Sequence, residues 1–374
     1  MGCYVGLDLH SNNTYIGIMD EEERRLFKGR YPNQLDVLLE VLQPFKEEVE
    51  GVVVESTFNW YWLVDGLQEN GYRVHLGHPP AFPMYRGLKY TDDEHDAFFL
   101  ARMLKMGTLP EGHILENEER QLRDLLRKRL QLVRQRTQNI LSFKSLVNRN
   151  LGKSIDSNAI KRLKEEDIDG MFRNPHLVLS AKATITNIRN LKSLIVELEK
   201  AALPDVSATT PYDLLLTVPG IGKALGMIIA LETGPVSRFR TPGDYVAYCR
   251  LVPTQRLSND KVKGKGNSKN GNKYLCWAFV EAANKMRRYC PQAQAYFTRK
   301  TIKSNCKALA TKALAHKIAR ACFYVMRDQV PFDVVKIFGP MALPKKGRVG
   351  EPDRGLDIKP LAPIGKSDAA VLPR

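Results

Sequence analysis

The sequence lacks several features that would assign it to a familiar class. Its six cysteines are scattered and form no Cys-x-x-Cys pair, which argues against a zinc module and against a disulfide framework. No apolar run approaches the length of a membrane-spanning helix, and the first residues lack the charged-then-apolar plan of a signal peptide. We therefore expect a cytoplasmic protein with reduced cysteines, in a chain whose 374 residues suffice for two or three domains.

Acidic residues are scarce in one part of the chain. Residues 251–320 contain 16 lysines and arginines but only two acids, Asp260 and Glu281, and they account for most of the net charge of +16. A basic segment of this density is typical of proteins that bind a polyanion such as nucleic acid. The alternative is a charged surface that only keeps the protein in solution.

The first 110 residues alternate between strand and helix patterns. Three short antiparallel strands are predicted first, at Val5–His10, Thr14–Met19 and Arg24–Lys28. They are followed by a helix over 33–43, a strand at Val52–Glu55, a helix over 60–69 and a strand at Arg73–Gly77. This alternation after an initial hairpin predicts a mixed sheet covered by helices.

The rest of the chain has mostly helical patterns. A polar, basic helix over 116–150 and a second helix over 180–202 have narrow apolar stripes. Such stripes suit a helical hairpin or coiled coil that also bridges subunits, or plain helical packing between domains. Residues 211–335 predict a mostly helical domain, whereas the segment from about 340 is rich in Pro, Gly and charge and lacks periodicity, which indicates disorder.

Three separate elements each provide carboxylates. Asp8 lies within the apolar first strand, Glu55 ends a β-branched run, and Asp92, Asp93 and Asp96 open a predicted helix. A strand interior disfavours Asp and clustered carboxylates repel, so a bound Mg²⁺ or Mn²⁺ would explain the pattern. Helical spacing places either Asp92 or Asp93 on the face of Asp96. The alternative for this cluster is an acidic helix start that complements the helix dipole.

Two motifs in the C-terminal half suggest contacts with phosphate. Val218-Pro-Gly-Ile-Gly-Lys223 predicts a glycine-rich turn between helices, either a phosphate-binding turn as in helix-hairpin-helix units or a tight turn without a ligand. Ser258 lies in a basic, glycine-rich loop whose cations would favour its attack on phosphorus; the alternative is a serine that only solvates a turn. The candidate nucleic-acid-binding residues are Gly220, Gly222, Lys223, Arg256, Lys261, Lys263, Lys265, Lys269 and Lys273.

Together these features resemble the DEDD transposases of bacterial insertion sequences, a group that includes pilin-gene invertases. The N-terminal part of the resemblance comprises Gly6-Leu-Asp-Leu-His10, Glu55 and Lys89-x-Thr-Asp-Asp-x-x-Asp-Ala97. The C-terminal part comprises Pro219-Gly-Ile-Gly222, Glu232, Phe239, Leu251-Val-Pro253 with Ser258, and Gly271-Asn-Lys-x-Leu275. The resemblance extends from about residue 3 to about residue 330.

The resemblance implies a fold and a set of site residues. It implies a ribonuclease H-like, RuvC-type N-terminal domain whose metal-binding, catalytic carboxylates are Asp8, Glu55, Asp93 and Asp96. It also implies that Ser258 attacks a DNA phosphate and forms a covalent phosphoserine. The family usually has Gly after this serine, whereas this chain has Asn259. The predicted segments are a RuvC-like catalytic domain (1–112), a basic helical or coiled-coil linker (113–205), a mainly helical transposase domain with a helix-hairpin-helix-like turn (206–338) and a disordered tail (339–374).

The same resemblance implies the partners of the protein. Family members bind the DNA of element ends and targets, are directed by a structured RNA from the element, and act as homo-oligomers, here a dimer or tetramer.

Three other functions fit parts of the sequence. Two of these alternatives are a metal-dependent nuclease or Holliday-junction resolvase that activates water, and a non-enzymatic nucleic-acid-binding protein. A sugar kinase or actin-like ATPase also begins with Gly-x-Asp, but His10-Ser-Asn-Asn13 follows here instead of a phosphate-binding loop.

Overall fold

The computed structural model describes most of the chain. The described residues are 2–82, 92–209, 211–253, 255–258, 261–265 and 270–340, with the backbone alone for 209, 255–258 and 262–265. Residues 341–374, which make up nearly all of the tail predicted to be disordered, lie outside the described part. Within the described part, no helix is both long and apolar enough to cross a membrane.

A six-stranded sheet forms the N-terminal part. Its strands are β1 (Cys3–Leu9), β2 (Asn13–Asp20), β3 (Arg25–Pro32), β4 (Val49–Glu55), β5 (Val74–Gly77) and the two-residue β6 (Glu111–Gly112). The spatial order is β3-β2-β1-β4-β5-β6; β1, β4 and β5 are parallel to one another and the other pairs are antiparallel. The predicted mixed sheet is confirmed, and it is compatible with a ribonuclease H-like domain.

Helices cover both faces of this sheet. Helices α1 (Leu35–Leu42) and α2 (Tyr61–Glu69) pack on one face, where Val5, Leu7 and Leu9 of β1 are fully buried. Helix α3 (Asp93–Lys105) packs on the other face, against Val53 of β4. Because side chains alternate along a strand, Asp8 and Glu55 are on the α3 face.

Two long helices connect the sheet to the C-terminal part. Helix α4 (Asn117–Leu151) packs along α6 (Pro175–Thr209), and the short α5 (Ser157–Ile160) lies between them in the chain. Their apolar contacts include Leu132 with Leu191 and Ile195, so the narrow stripes predicted from the sequence are used within one chain. Helix α4 has the predicted length and is shifted by one residue from 116–150, whereas α6 is longer than the predicted 180–202.

The C-terminal part is built on a second large core. Its helices are α7 (Tyr212–Leu216), α8 (Lys223–Thr233), α9 (Pro242–Tyr248), α10 (Lys273–Tyr289), α11 (Pro291–Ser304), α12 (Lys307–Asp328) and α13 (Val334–Phe338). Fully buried Tyr245, Phe279 and Leu314 are among the side chains that join α9, α10 and α12. A hairpin of β7 (Gln255–Ser258) and β8 (Lys261–Lys265) interrupts these helices, where the sequence analysis predicts a basic loop.

Candidate active site

A glycine in the first strand allows helix α3 to approach the sheet closely. A Cβ atom added at Gly6 would lie 1.9 Å from the backbone oxygen of Ala97, so any larger residue would push the helix away. Asp8 follows two residues later on the same face. The first turn of α3 is therefore held beside the end of β1.

Asp8 and Glu55 meet at the carboxyl ends of two neighbouring parallel strands. Leu7 pairs with Val54 in the register of β1 and β4, which places Asp8 beside Glu55. Asp8 is only 3% exposed. Burial raises the pKa of Asp8, and burial together with the adjacent Asp8 raises the pKa of Glu55 to about 8. Two carboxyl groups this close favour sharing a proton or binding a cation.

Helix α3 adds Asp96 and Asp93, and Asp92 has a different role. The Asp92 side chain caps the helix by accepting a hydrogen bond from the backbone N–H of His95 at 2.8 Å. Burial and the negative charge of Asp8 raise the pKa of Asp96. Asp93 lies at the first helical position, and one of its carboxylate oxygens is 3.2 Å from His10 Nε2.

The donor set fits a divalent cation. Among the described residues, Asp8 Oδ2 and Asp96 Oδ1 are buried oxygens without a hydrogen-bond partner, and the His10 ring nitrogen that lies 3.3 Å from Asp8 Oδ2 forms an ion pair with it only when protonated. Asp8, His10 and Asp93 also provide three ligand atoms that all lie within 4.8 Å of one another. Buried carboxylates without partners cost free energy, and oxygen donors are those that Mg²⁺ and Mn²⁺ prefer. The residues therefore match the chemistry of such an ion.

The sequence analysis did not assign roles to His10 and Arg30. His10 Nε2 lies 3.3 Å from Asp8 Oδ2 and bridges Asp8 and Asp93, while Arg30 on β3 donates a hydrogen bond to Asp93. The signal for His10 was its place at the end of the first strand, two residues after Asp8. Arg30 could not be found in this way because its approach depends on the pairing of β3 with β2.

The glycine-rich turn joins α7 to α8. Gly220 has a φ of +92°, and an added Cβ would lie 2.6 Å from the backbone oxygen of Ala282 on α10. Close packing on α10 therefore requires Gly220. At Gly222, which precedes α8, an added Cβ would meet no atom within 4 Å, and Lys223 is exposed. The open side of this turn is at Gly222 and Lys223.

Ser258 is the last residue of β7, and it pairs in register with Lys261 of β8. The structure thus corrects the predicted loop: its backbone forms two paired antiparallel strands, with Leu257 opposite Val262 in the register. Lys261 and Lys273 are exposed. Arg256, Lys263 and Lys265 are described by their backbone, and Lys269 lies outside the described residues.

A buried ion-pair network lies next to the C-terminal base of this hairpin. Glu232 of α8 is 5% exposed and accepts two hydrogen bonds from Arg127 of α4, at 2.7 and 2.8 Å. Asn272 donates a third, at 2.7 Å, and its own oxygen caps α10 by accepting from the N–H groups of Tyr274 and Leu275. This network fixes α10 and the end of the hairpin segment relative to α4.

Two family models match this chain. The model of DEDD transposases of the IS110 type matches residues 5–150, a range that contains all four candidate carboxylates. The model described as the transposase IS116/IS110/IS902 family matches residues 212–298, which contain Ser258. Together the two matches include both halves of the predicted site.

Three curated relatives are similar over most of their length. A transposase of Sinorhizobium fredii is 24% identical over 331 residues, 85% of this chain and 80% of that protein. A family 20 transposase of Pseudomonas aeruginosa is 23% identical over 275 residues, 70% of this chain and 78% of that protein. The transposase for insertion sequence element IS1328 of Yersinia enterocolitica is 23% identical over 346 residues, 88% of this chain and 98% of that protein. The chain therefore belongs to the IS110-type DEDD transposases and is a DNA transposase of the insertion-sequence class.

Proposed function

We propose that this transposase cuts and rejoins DNA through a covalent phosphoserine at Ser258, beside a divalent cation held by Asp8, Glu55, Asp93 and Asp96. The observation that carries the proposal is the convergence of the buried Asp8 with the half-buried Glu55 and Asp96, from β1, β4 and α3, on one sheet end. Among the described residues, Asp96 Oδ1 has no hydrogen-bond partner, and Asp8 Oδ2 has only the contact with His10. A purely structural acidic cluster would satisfy these oxygens with protein donors.

The four carboxylates would hold Mg²⁺ or Mn²⁺, which when bound stabilises negative charge on the attacking and leaving oxygens of phosphoryl transfer. His10 lies between Asp8 and Asp93 and keeps their carboxylates oriented toward one another. Arg30 compensates part of the charge of Asp93. These contacts support a preorganised set of ligands.

In the proposed reaction, the Ser258 hydroxyl loses its proton and its oxygen bonds to a DNA phosphorus. One phosphorus–oxygen bond of the DNA backbone breaks, and the released oxygen is protonated to a DNA hydroxyl. A hydroxyl of the new partner strand then attacks the phosphoserine, which restores Ser258 and reseals the backbone. Each step exchanges one phosphodiester for another, so strand exchange requires no high-energy cofactor.

We further propose that the protein works as a homo-oligomer directed by a structured RNA. Exposed Leu141, Leu179 and Leu194 on the α4–α6 hairpin support contacts with a second copy, because these large apolar side chains are between 46% and 69% exposed. The net charge of +16 supports binding of both the DNA and the structured RNA, and we expect the protein to bind them in the cytoplasm. Distinct cores in the sheet, the helical hairpin and the C-terminal part support the predicted segments 1–112, 113–205 and 206–338, with Leu126 and Ala202 of the hairpin packed into the C-terminal core.

The test is a set of Ser258→Ala and Asp8→Asn variants in a DNA strand-cleavage assay with Mg²⁺. The proposal predicts that both abolish cleavage, since the serine is the nucleophile and the aspartate holds the cation. Normal cleavage by Ser258→Ala would support the alternative in which activated water cuts DNA. Unchanged activity of Asp8→Asn would remove the metal site from the mechanism.

A further inference from the structure

A basic cleft of about 770 Å³ lies between the N-terminal sheet and the C-terminal helices. Its walls come from the edge of the sheet at Ser56 and Gly112, from α4, and from the segment that joins the serine hairpin to α10. Five of its lining residues are permanent cations: Arg123, Arg127, Arg238, Arg250 and Lys273. We call this space the interdomain cleft.

Cations outnumber acids in the lining of the interdomain cleft, five to two, and both acids have partners. Glu232 is bound by Arg127, and Glu111 lies 3.1 Å from the His75 ring. Burial and the positive charge of Arg250 lower the pKa of His78, which keeps this lining imidazole neutral at pH 7. The cleft therefore has a positive potential that a polyanion would relieve.

Three of the cations are held over aromatic rings. Arg238 lies 4.4 Å from the ring centre of Phe239 and 4.6 Å from that of Tyr248, and Arg127 lies 4.6 Å from that of Tyr274. Lys273 lies 5.2 Å from the ring centre of Tyr274. Stacking fixes the orientation of the Arg238 guanidinium, and Arg127 is also bound by Glu232, so Arg238 and Lys273 are the stacked cations that remain available to a phosphate or a base.

The lining of the interdomain cleft includes neighbours in sequence of both halves of the proposed active site. Ser56 at one end directly follows Glu55, and His78 follows the carboxyl end of β5 on the same side of the sheet. At the other end, Gly271 and Asn272 are the base of the segment that contains the serine hairpin. A strand in this cleft would run from the carboxylates toward that segment.

We propose that the interdomain cleft binds a single strand of nucleic acid, held by its phosphates on Arg238 and Lys273 and directed past the carboxylate cluster. This inference rests on the proposed function in one respect, the assignment of the carboxylates as the cutting site. The combination of cations and aromatic side chains is typical of single-strand grooves. A volume of 770 Å³ accommodates units of nucleotide size but not an intact double helix.

The test is fluorescence anisotropy with labelled 12-nucleotide single-stranded DNA, single-stranded RNA of the same sequence, and duplex DNA. Arg238→Ala and Lys273→Ala are compared with Arg240→Ala, which removes the same charge from an exposed residue outside the cleft lining. We expect each cleft variant to weaken single-strand binding about tenfold, as for the loss of one charge-assisted hydrogen bond. The slope of log Kobs against log salt should decrease by about 0.7.

The three probes identify which type of strand the cleft binds, and a catalytically impaired background tests binding separately from the proposed mechanism. Weaker binding of single-stranded DNA assigns the cleft to a DNA strand, and weaker binding of RNA alone assigns it to RNA. Equal losses for Arg240→Ala, or a loss confined to duplex DNA, would overturn the proposal. The measurements are repeated in an Asp8→Asn background without Mg²⁺, where binding depends on the cleft whether or not Ser258 and the carboxylates cut DNA. Arg238 also donates a hydrogen bond to the Thr233 backbone oxygen, so Arg238→Ala removes a structural contact as well as a charge. Lys273 is exposed, so a loss of binding in Lys273→Ala is not explained by misfolding.

Discussion

Glu55→Gln should stabilise the metal-free N-terminal sheet while removing its response to Mg²⁺. In the folded protein the pKa of Glu55 is raised from 4.5 to about 8, first by burial and then by Asp8. Below pH 4.5 the carboxyl is protonated in both the folded and the unfolded state, so this group does not lower the free energy of unfolding. Between about 4.5 and 8 the folded state keeps a proton that the unfolded chain releases, so stability falls as pH rises, and above about 8 the loss is complete.

The magnitude follows from that interval. A pH of 7 is about 2.5 units above the pKa of this carboxyl in the unfolded chain. At about 1.36 kcal/mol per unit, the raised pKa of Glu55 therefore lowers the free energy of unfolding at pH 7 by at most about 3 kcal/mol. The Gln side chain keeps a donor toward Asp8 and carries no charge. In the presence of a chelator at pH 7, the free energy of unfolding of the variant should therefore exceed that of the wild type by up to about 3 kcal/mol. Its stability should not fall between pH 5 and 8.

The assay is hydrogen exchange of peptides from β1 and β4, followed by mass spectrometry between pH 5 and 8 with normalised intrinsic rates. Glu50→Gln is the matched control because Glu50 is an exposed acid on the same strand. With Mg²⁺ added, wild-type protein and the control should gain protection at pH 7, and Glu55→Gln should gain less. Identical pH slopes for Glu55→Gln and wild type, or an equal response to Mg²⁺, would refute the reasoning.

Three substitutions elsewhere test the packing that positions the site. Gly6→Ala should displace α3, lower stability by more than about 3 kcal/mol through overpacking, and abolish Mg²⁺-dependent protection in thermal unfolding; unchanged Mg²⁺ protection would contradict this. Arg127→Ala should cost about 3 to 5 kcal/mol because it leaves a buried carboxylate unpaired. Lys128→Ala, on the exposed side of the same helix, should change the free energy of urea unfolding by less than about 0.5 kcal/mol. Gly220→Ala should destabilise the C-terminal part by at least about 2 kcal/mol because of its left-handed backbone and the contact with α10. Gly222→Ala, with open space around it, should cost about 1 kcal/mol, and equal costs would exclude the packing argument.

Much of the N-terminal fold could be predicted from the sequence. Alternating strand and helix patterns gave the order of elements, and the parallel neighbours β1 and β4 necessarily bring Asp8 and Glu55 to one sheet end. Periodicity could not separate Asp92 from Asp93, since both lie on a face with Asp96. Only the helix cap, in which the Asp92 side chain accepts from His95, distinguishes their roles.

Features that depend on long-range packing were beyond the sequence. The hairpin around Ser258 was interpreted as a loop because lysines and glycines obscured the alternation that pairs Leu257 with Val262. The interdomain cleft depends on how the sheet, α4 and the C-terminal helices are placed together, and no local pattern contains that information. The roles of Ser258 and the four carboxylates stay predictions for experiment.

The central claim is that Ser258 forms the bond to DNA. The direct measurement is to incubate the protein with element-end DNA, Mg²⁺ and the flanking RNA of the element, denature it, and identify any protein–DNA adduct by mass spectrometry. We expect a nucleotide-linked peptide modified at Ser258, which is absent in Ser258→Ala and retained when Ser268, the other serine of this basic segment, is replaced in Ser268→Ala. An adduct that persists in Ser258→Ala, or rejoined DNA products from that variant, would contradict it.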